Sequence, residues 1–160
     1  IYDIPGRSIV RVNDETLASL AQNPNIVGIK DATAECYRPT KLRSLIGPDF
    51  CQLSGEDATV LPYLAAGGQG CISVVSNIAP ALCSQLHSAW AAGDAATALS
   101  LHQKLMPLHE TLFIEASPGP VKYAASLLGL CGPTTRLPLC EIAESSKAAV
   151  KDALIAAELL

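Results

Sequence analysis

Short apolar runs along the chain alternate with stretches whose apolar residues recur every three or four positions, and turn residues punctuate the joins. Ile1, Tyr2, Asp3 and Ile4 form a run closed by Pro5-Gly6, which predicts a strand followed by a loop. Asn13 is a good helix N-cap. Thr16, Leu17 and Leu20 follow it at helical spacing as far as Gln22, where Asn23-Pro24-Asn25 breaks the pattern. IVGIK, ending at Lys30, reads as a second strand, residues 39–46 as a short helix stopped by Gly47-Pro48, and FCQLS, ending at Ser54, as a third strand. Residues 56–66 are predicted helical, Gly67 to Gly70 a turn, CISVVS from Cys71 a fourth strand, and 80–92 a helix ended by Gly93. Beyond Gly93 the strand signals cease. Asp94 is expected to cap a long helix reaching about Glu115 with an interruption at Pro107, and two more helices are predicted over 119–128 and 141–159.

The four strands begin near residues 1, 26, 51 and 70, so successive starts lie 25, 25 and 19 residues apart, the length of one βα unit. That repeat predicts a parallel α/β architecture, and the near-continuous apolar runs suit strands covered by helices. Two folds fit it: an open doubly wound sheet, or the second half of an eightfold barrel, which as a whole needs about 250 residues. An open nucleotide-binding sheet would carry a glycine-rich phosphate loop after its first strand. PGRS at positions 5–8 is no GxGxxG, which favours the barrel. The expected organisation is half a (β/α)8 barrel over residues 1–93 and a C-terminal helical domain over 94–160. Ile1 is not methionine and lies inside an apparent strand, so the chain is expected to be a fragment or a processed piece.

Composition narrows the function classes. Hydrophobic residues make up 49% of the 160 and charged residues 16%, against a typical charged share of about 25%, which excludes disorder. The 11 Lys and Arg against 15 Asp and Glu give a net charge of -4, and the basic residues are scattered singly, leaving no nucleic-acid footprint. No apolar run approaches the ~20 residues of a membrane span and no signal peptide opens the chain, so a cytoplasmic protein is expected. The cysteines, Cys36, Cys51, Cys71, Cys83, Cys131 and Cys140, contain no CxxC and no paired metal spacing. Cys51 and Cys71 in strand-like runs and Cys83 on a helix read as small hydrophobes. His87, His102 and His109 fall in helical stretches and read as packing or surface residues.

In barrels and open sheets alike, reactive groups sit at the carboxyl ends of the strands. Those ends carry Tyr2 and Arg7, then Lys30, then Ser54-Gly55-Glu56-Asp57, then Ser73 to Asn77. A lysine that ends an apolar run either snorkels to water or points into a barrel mouth, where a desolvated amine is a nucleophile toward carbonyls. Tyr2 alone reads as packing, although a phenol can also relay protons. Arg7 alone reads as solvated, although a guanidinium at a barrel mouth grips carboxylates with two prongs.

In combination these residues say more. YDIPGR, GIKDAT, LSGEDA, GGQGCISVVSN, LMPLHETLFIEASPGPVKYAASLLGL and RLPL occur in one order over essentially the whole chain. The sequence thereby resembles the C-terminal half of the dihydrodipicolinate synthase family, within the pyruvate-dependent class I aldolase (N-acetylneuraminate lyase) superfamily. The resemblance implies a (β/α)8 barrel followed by helices. It also implies an imine between Lys30 and pyruvate, proton shuttling by Tyr2, and Arg7 meeting the carboxylate of L-aspartate 4-semialdehyde. Gly55 and Ile72 would line the pyruvate pocket. The implied reaction condenses the two substrates to 4-hydroxy-tetrahydrodipicolinate in lysine (diaminopimelate) biosynthesis, with no metal or organic cofactor, in a homo-oligomer that the family suggests is a tetramer. A threonine pair and a neighbouring subunit's tyrosine, which complete the family's proton relay, belong to the half that these residues do not include.

Two other readings stand beside this one. N-acetylneuraminate lyase-like enzymes and sugar-acid aldolases share the tyrosine and lysine but receive a polyol. An arginine five residues after the tyrosine suits a small carboxylated aldehyde instead. The other reading is an inactive fragment acting as a folding and association unit, since half a closed sheet leaves edges and an apolar face open.

Overall fold

The computed structural model describes residues 1–160, which form two compact units, Ile1–Ser73 and Val74–Leu160. In the first, four strands make one parallel sheet in sequence order: β1 (Tyr2–Asp3), β2 (Gly28–Asp31), β3 (Cys51–Ser54) and β4 (Gly70–Cys71). Between them lie α1 (Pro5–Ser8), α2 (Asp14–Leu20), α3 (Arg38–Ile46) and α4 (Val60–Ala65), the last entered through a 3₁₀ turn over Asp57–Thr59. Asn13 caps α2 as its sequence position predicts, its side-chain oxygen accepting from the Thr16 amide at 2.7 Å. Leu17 of α2 and Leu42 of α3 pack with Ile29 and Phe50 into a buried cluster edged by Val12, Ala21, Ile26 and Ile46. The repeat of strand, helix, strand is the one expected. The Pro5–Ser8 turn of helix, which stands where a plain loop is predicted, is an addition to it.

The fourth strand departs from the pattern read in the sequence. The fourth strand is expected to run through CISVVS, but ladder pairing covers only Gly70 and Cys71, with one more bond from the Ile72 amide to the Ser54 carbonyl at 2.8 Å. β4 pairs with β3 alone, and β3 ends at Ser54, so residues beyond 72 have no strand beside them and turn into a 3₁₀ helix at Val75–Asn77. Apolar character predicted the strand, and the length of its neighbour limits it.

The second unit is helical: α5 (Pro80–Ala91), α6 (Ala95–Thr111), α7 (Gly119–Leu127) and α8 (Glu144–Ala156). Asp94 caps α6 through the Thr97 amide at 3.0 Å. The interruption expected at Pro107 does not occur, because α6 runs through it with Leu105, Leu108 and His109 buried on either side. Tertiary packing here outweighs the local cost of an interior proline. α6 packs against both α5 and α8, and α7 against α8. α8 runs over Glu144–Ala156, three residues inside the predicted 141–159 at each end. Glu115 accepts from the Ala143 amide at 2.9 Å and so closes the helix start there, while Glu141 reaches Lys147 from outside the helix.

The core predicts an asymmetry between two leucines three positions apart on α3. Leu42 is wholly buried and Leu45 about half exposed. Leu42→Ala is expected to lose about 2–5 kcal/mol in urea unfolding, by lost transfer energy and a residual cavity, and Leu45→Ala less than about 1 kcal/mol. A second prediction concerns acid. Desolvation pulls the Asp14 carboxyl up, but hydrogen bonds from Lys41 and Arg38 more than reverse this and leave it below its ordinary 3.8. A carboxyl depressed in the folded state stabilises the fold above its unfolded value, and that contribution is lost as pH falls through the folded one. Asp14→Asn should therefore lower the urea midpoint at neutral pH and narrow the gap to the parent protein as pH falls below about 4.

Candidate active site

The strands are short, and their side chains divide cleanly between two faces. Asp3, Ile29, Asp31, Gln52 and Ser54 are buried on the helix-covered face, whereas Tyr2, Lys30 and Leu53 alternate with them on the opposite, more open face. In the parallel register Tyr2 lies beside Lys30 and Asp3 beside Asp31, while Lys30 lies beside Leu53 on its other flank. The lysine expected at the end of the second strand is thus set between two neighbours at the carboxyl end of the sheet. Its Nζ stands 3.9 Å from the centroid of the Tyr2 ring, which itself is 47% exposed. The Nζ thus lies against the ring at the open side of the strand end.

Gly55 closes the other side of Lys30. A Cβ at this position would lie 3.0 Å from Lys30 Cε, 3.2 Å from its Cγ and 3.0 Å from the Ala32 Cβ. A side chain there would crowd the lysine shaft by a few tenths of an ångström, so glycine leaves the space beside Lys30 open. The turn after Gly55 is held by Ser54, whose hydroxyl donates to the Glu56 carbonyl at 2.9 Å and accepts from the Glu56 amide at 3.1 Å. Burial, followed by the charge of Asp57, pushes the Glu56 carboxyl up. Ile72, the last residue bonded to β3, is 47% exposed at the end of the adjacent strand.

Arg7 is placed differently. It lies on α1, exposed, and its guanidinium makes no hydrogen bond or ion pair within the protein. Its segment returns to the sheet under constraint: Ser8 Oγ donates to the carbonyls of Ile4 and Val10 at 2.9 and 2.7 Å, with Ile9 between them at φ 66°. Positive φ at a β-branched residue is strained, and these bonds hold the strain in place. The structure therefore brings Tyr2, Lys30 and Gly55 together, sets Ile72 at the neighbouring strand end, and leaves Arg7 exposed on α1 after β1.

A group that sequence reasoning passed over lies on the opposite face of the same strand ends. Arg38, at the start of α3, has no solvent exposure. Its Nη1 donates to Asp3 Oδ2 at 2.6 Å, its Nε to Asp14 Oδ1 at 2.9 Å and its Nη2 to the Val12 carbonyl at 2.6 Å, and Asp31 Oδ2 stands 3.4 Å from Nη1. Lys41 pairs with the other oxygen of Asp14 at 2.5 Å. Burial opposes the Arg38 charge, but the surrounding carboxylates win and raise its pKa above the ordinary arginine value. No group of three His, Cys, Asp or Glu side chains is arranged to hold a metal ion.

Comparison with known proteins places the chain in a family. The model of the dihydrodipicolinate synthetase family matches residues 1–157. The 4-hydroxy-tetrahydrodipicolinate synthases of Rhodospirillum centenum and Gluconacetobacter diazotrophicus are 55% and 56% identical over 160 and 161 residues, covering all of this chain but 55% and 54% of theirs. The structure of the chloride-inhibited dihydrodipicolinate synthase of Acinetobacter baumannii with pyruvate superposes with a TM-score of 0.94 at 38% identity, over 99% of this chain and 55% of that one. The chain thus spans about half the length of the relatives it matches, and its parallel βα units with the helices that follow correspond to half of a (β/α)8 barrel and its helical extension. By the match of residues 1–157 and by identity above one half to its curated relatives, the chain belongs to the dihydrodipicolinate synthetase family.

Proposed function

We propose that Lys30 is the imine-forming nucleophile of a dihydrodipicolinate synthase that condenses pyruvate with L-aspartate 4-semialdehyde. The observation that carries this reading is the Lys30 amine 3.9 Å over the Tyr2 ring, with no side chain at Gly55 to displace it. The amine attacks C2 of pyruvate, and the carbinolamine loses water to an imine. Loss of a proton from C3 gives an enamine, which adds to the aldehyde carbon of the second substrate. Attack of that substrate's own amine on the imine carbon closes the ring and returns Lys30 as the free amine. In this scheme Tyr2 carries protons to and from the carbinolamine oxygen, Ile72 and Gly55 bound the pyruvate, and the lysine itself supplies the electron sink, so no metal or organic cofactor takes part.

Arg7 separates this reading from that of a polyol-cleaving aldolase. Its exposed guanidinium has no partner within the protein, and a free two-pronged cation suits a substrate carboxylate better than a sugar chain. We place the enzyme in the cytoplasm, in lysine and diaminopimelate biosynthesis, as a homo-oligomer. No helix is long and apolar enough to cross a membrane.

The test uses a full-length chain in which the half that the relatives possess accompanies these 160 residues. Pyruvate with borohydride should leave one reduced adduct, located by mass spectrometry on Lys30. An adduct on Lys41 or Lys122 would refute the assignment. Lys30→Arg should abolish both adduct and condensation, because guanidinium stays protonated and forms no imine. Arg7→Ala should raise the semialdehyde KM by about ten- to a hundredfold, as expected for a lost charged hydrogen bond, with little change in the pyruvate KM. Equal changes in both constants would mark Arg7 as a residue that only shapes its loop.

A further inference from the structure

We infer that Arg38 is a positioning residue for the Lys30 imine, acting from the opposite face of the sheet through the aspartates that follow the two reacting side chains. This rests on the imine reading above. Asp3 directly follows Tyr2, and Asp31 directly follows Lys30; the register sets Tyr2 beside Lys30 and Asp3 beside Asp31. The guanidinium spans the second pair, at 2.6 Å to Asp3 and 3.4 Å to Asp31. Adjacent residues of a strand share a rigid peptide plane, so holding Asp3 and Asp31 at one relative height holds Tyr2 and Lys30 at one relative height.

The same guanidinium also reaches the loop that carries Arg7. Its Nη2 bonds the Val12 carbonyl at 2.6 Å, and Asp3 Oδ1 accepts from the Val12 amide at 3.2 Å, so the returning end of residues 4–13 is tied to β1 through the cluster. Nε to Asp14 fixes the first turn of α2 at 2.9 Å. Asp31 is itself oriented, its Oδ1 accepting from the Thr33 amide and hydroxyl at 2.9 and 2.7 Å. One planar fork thus hydrogen-bonds β1, α2 and the Arg7 segment and faces β2 through its charge on Asp31, whose Oδ2 has no hydrogen-bond partner, and no single-point cation can reach all four.

Deleting the guanidinium would leave three carboxylates crowded in a buried site, so an alanine variant tests folding more than catalysis. Arg38→Lys keeps the positive charge and loses the fork. It is made in the full-length chain, and turnover is normalised to the number of sites trapped by pyruvate and borohydride, which removes any loss of folded protein from the comparison. The expected result is a kcat per trapped site lower by about ten- to a hundredfold, the scale at which small misplacements of a reacting group act, in a chain that still unfolds cooperatively. Asp31→Asn, near-isosteric and neutral, is the second variant should the lysine variant not fold, and it should lower kcat per trapped site in the same direction. An unchanged kcat per trapped site in the folded variant would overturn the inference and leave Arg38 as a stability element only. Failure of the unsubstituted chain to trap pyruvate would overturn the imine reading, and this inference with it.

Discussion

A guanidinium with no access to water holds together the strand ends on which the site stands. Arg38 is surrounded by Asp3, Asp14 and Asp31 and by the Val12 carbonyl, and each of these belongs to a different piece of the first unit. A buried charge is tolerated only when its partners satisfy it, and here Asp3, Asp14 and the Val12 carbonyl accept its hydrogen bonds while Asp31 adds its charge at 3.4 Å. Their net negative charge is offset at the rim by Lys41 on Asp14. The apolar cluster of Leu17, Ile29, Leu42 and Phe50 provides the burial, while the ionic cluster supplies direction, since apolar packing alone does not select one rotation of a loop.

The period of two along a strand explains how such a cluster coexists with the Lys30 amine a residue away. Lys30 and Asp31 are neighbours in sequence yet open onto different surroundings, the lysine toward the Tyr2 ring and Gly55, the aspartate toward Arg38. Tyr2 and Asp3 repeat the arrangement on the adjacent strand. A shift of one residue in register would exchange the two sets, burying the amine and exposing the aspartates. Gly28 supports the same register from the other end of β2, because a Cβ there would meet the Cys51 carbonyl oxygen at 2.5 Å.

Much of this was legible from the chain alone, for local reasons. The caps at Asn13 and Asp94, the break at Gly47-Pro48 and the apolar repeat of βα units are signals carried by a few adjacent residues, and each appears where it was read. Motif order placed Tyr2, Lys30 and Gly55 in one site, and the structure brings them together. What escaped depends on partners distant in sequence. The truncated β4 follows from where β3 stops, and the uninterrupted α6 from packing on α5 and α8. Arg38 carried a faint signal: aspartates at the inward positions of two successive strands demand a buried cation, and an arginine opening the next helix can supply it. Only the fold shows that it does.

A crystal structure of the full-length chain soaked in pyruvate tests the central claim most directly, because it images the bond on which the account turns. The account predicts continuous density from Lys30 Nζ to C2 of pyruvate, with the adduct beside Tyr2 and Gly55 and with Arg38 still bridging Asp3 and Asp31 behind it. Pyruvate bound without a bond to Lys30, or bonded to another lysine, would contradict it.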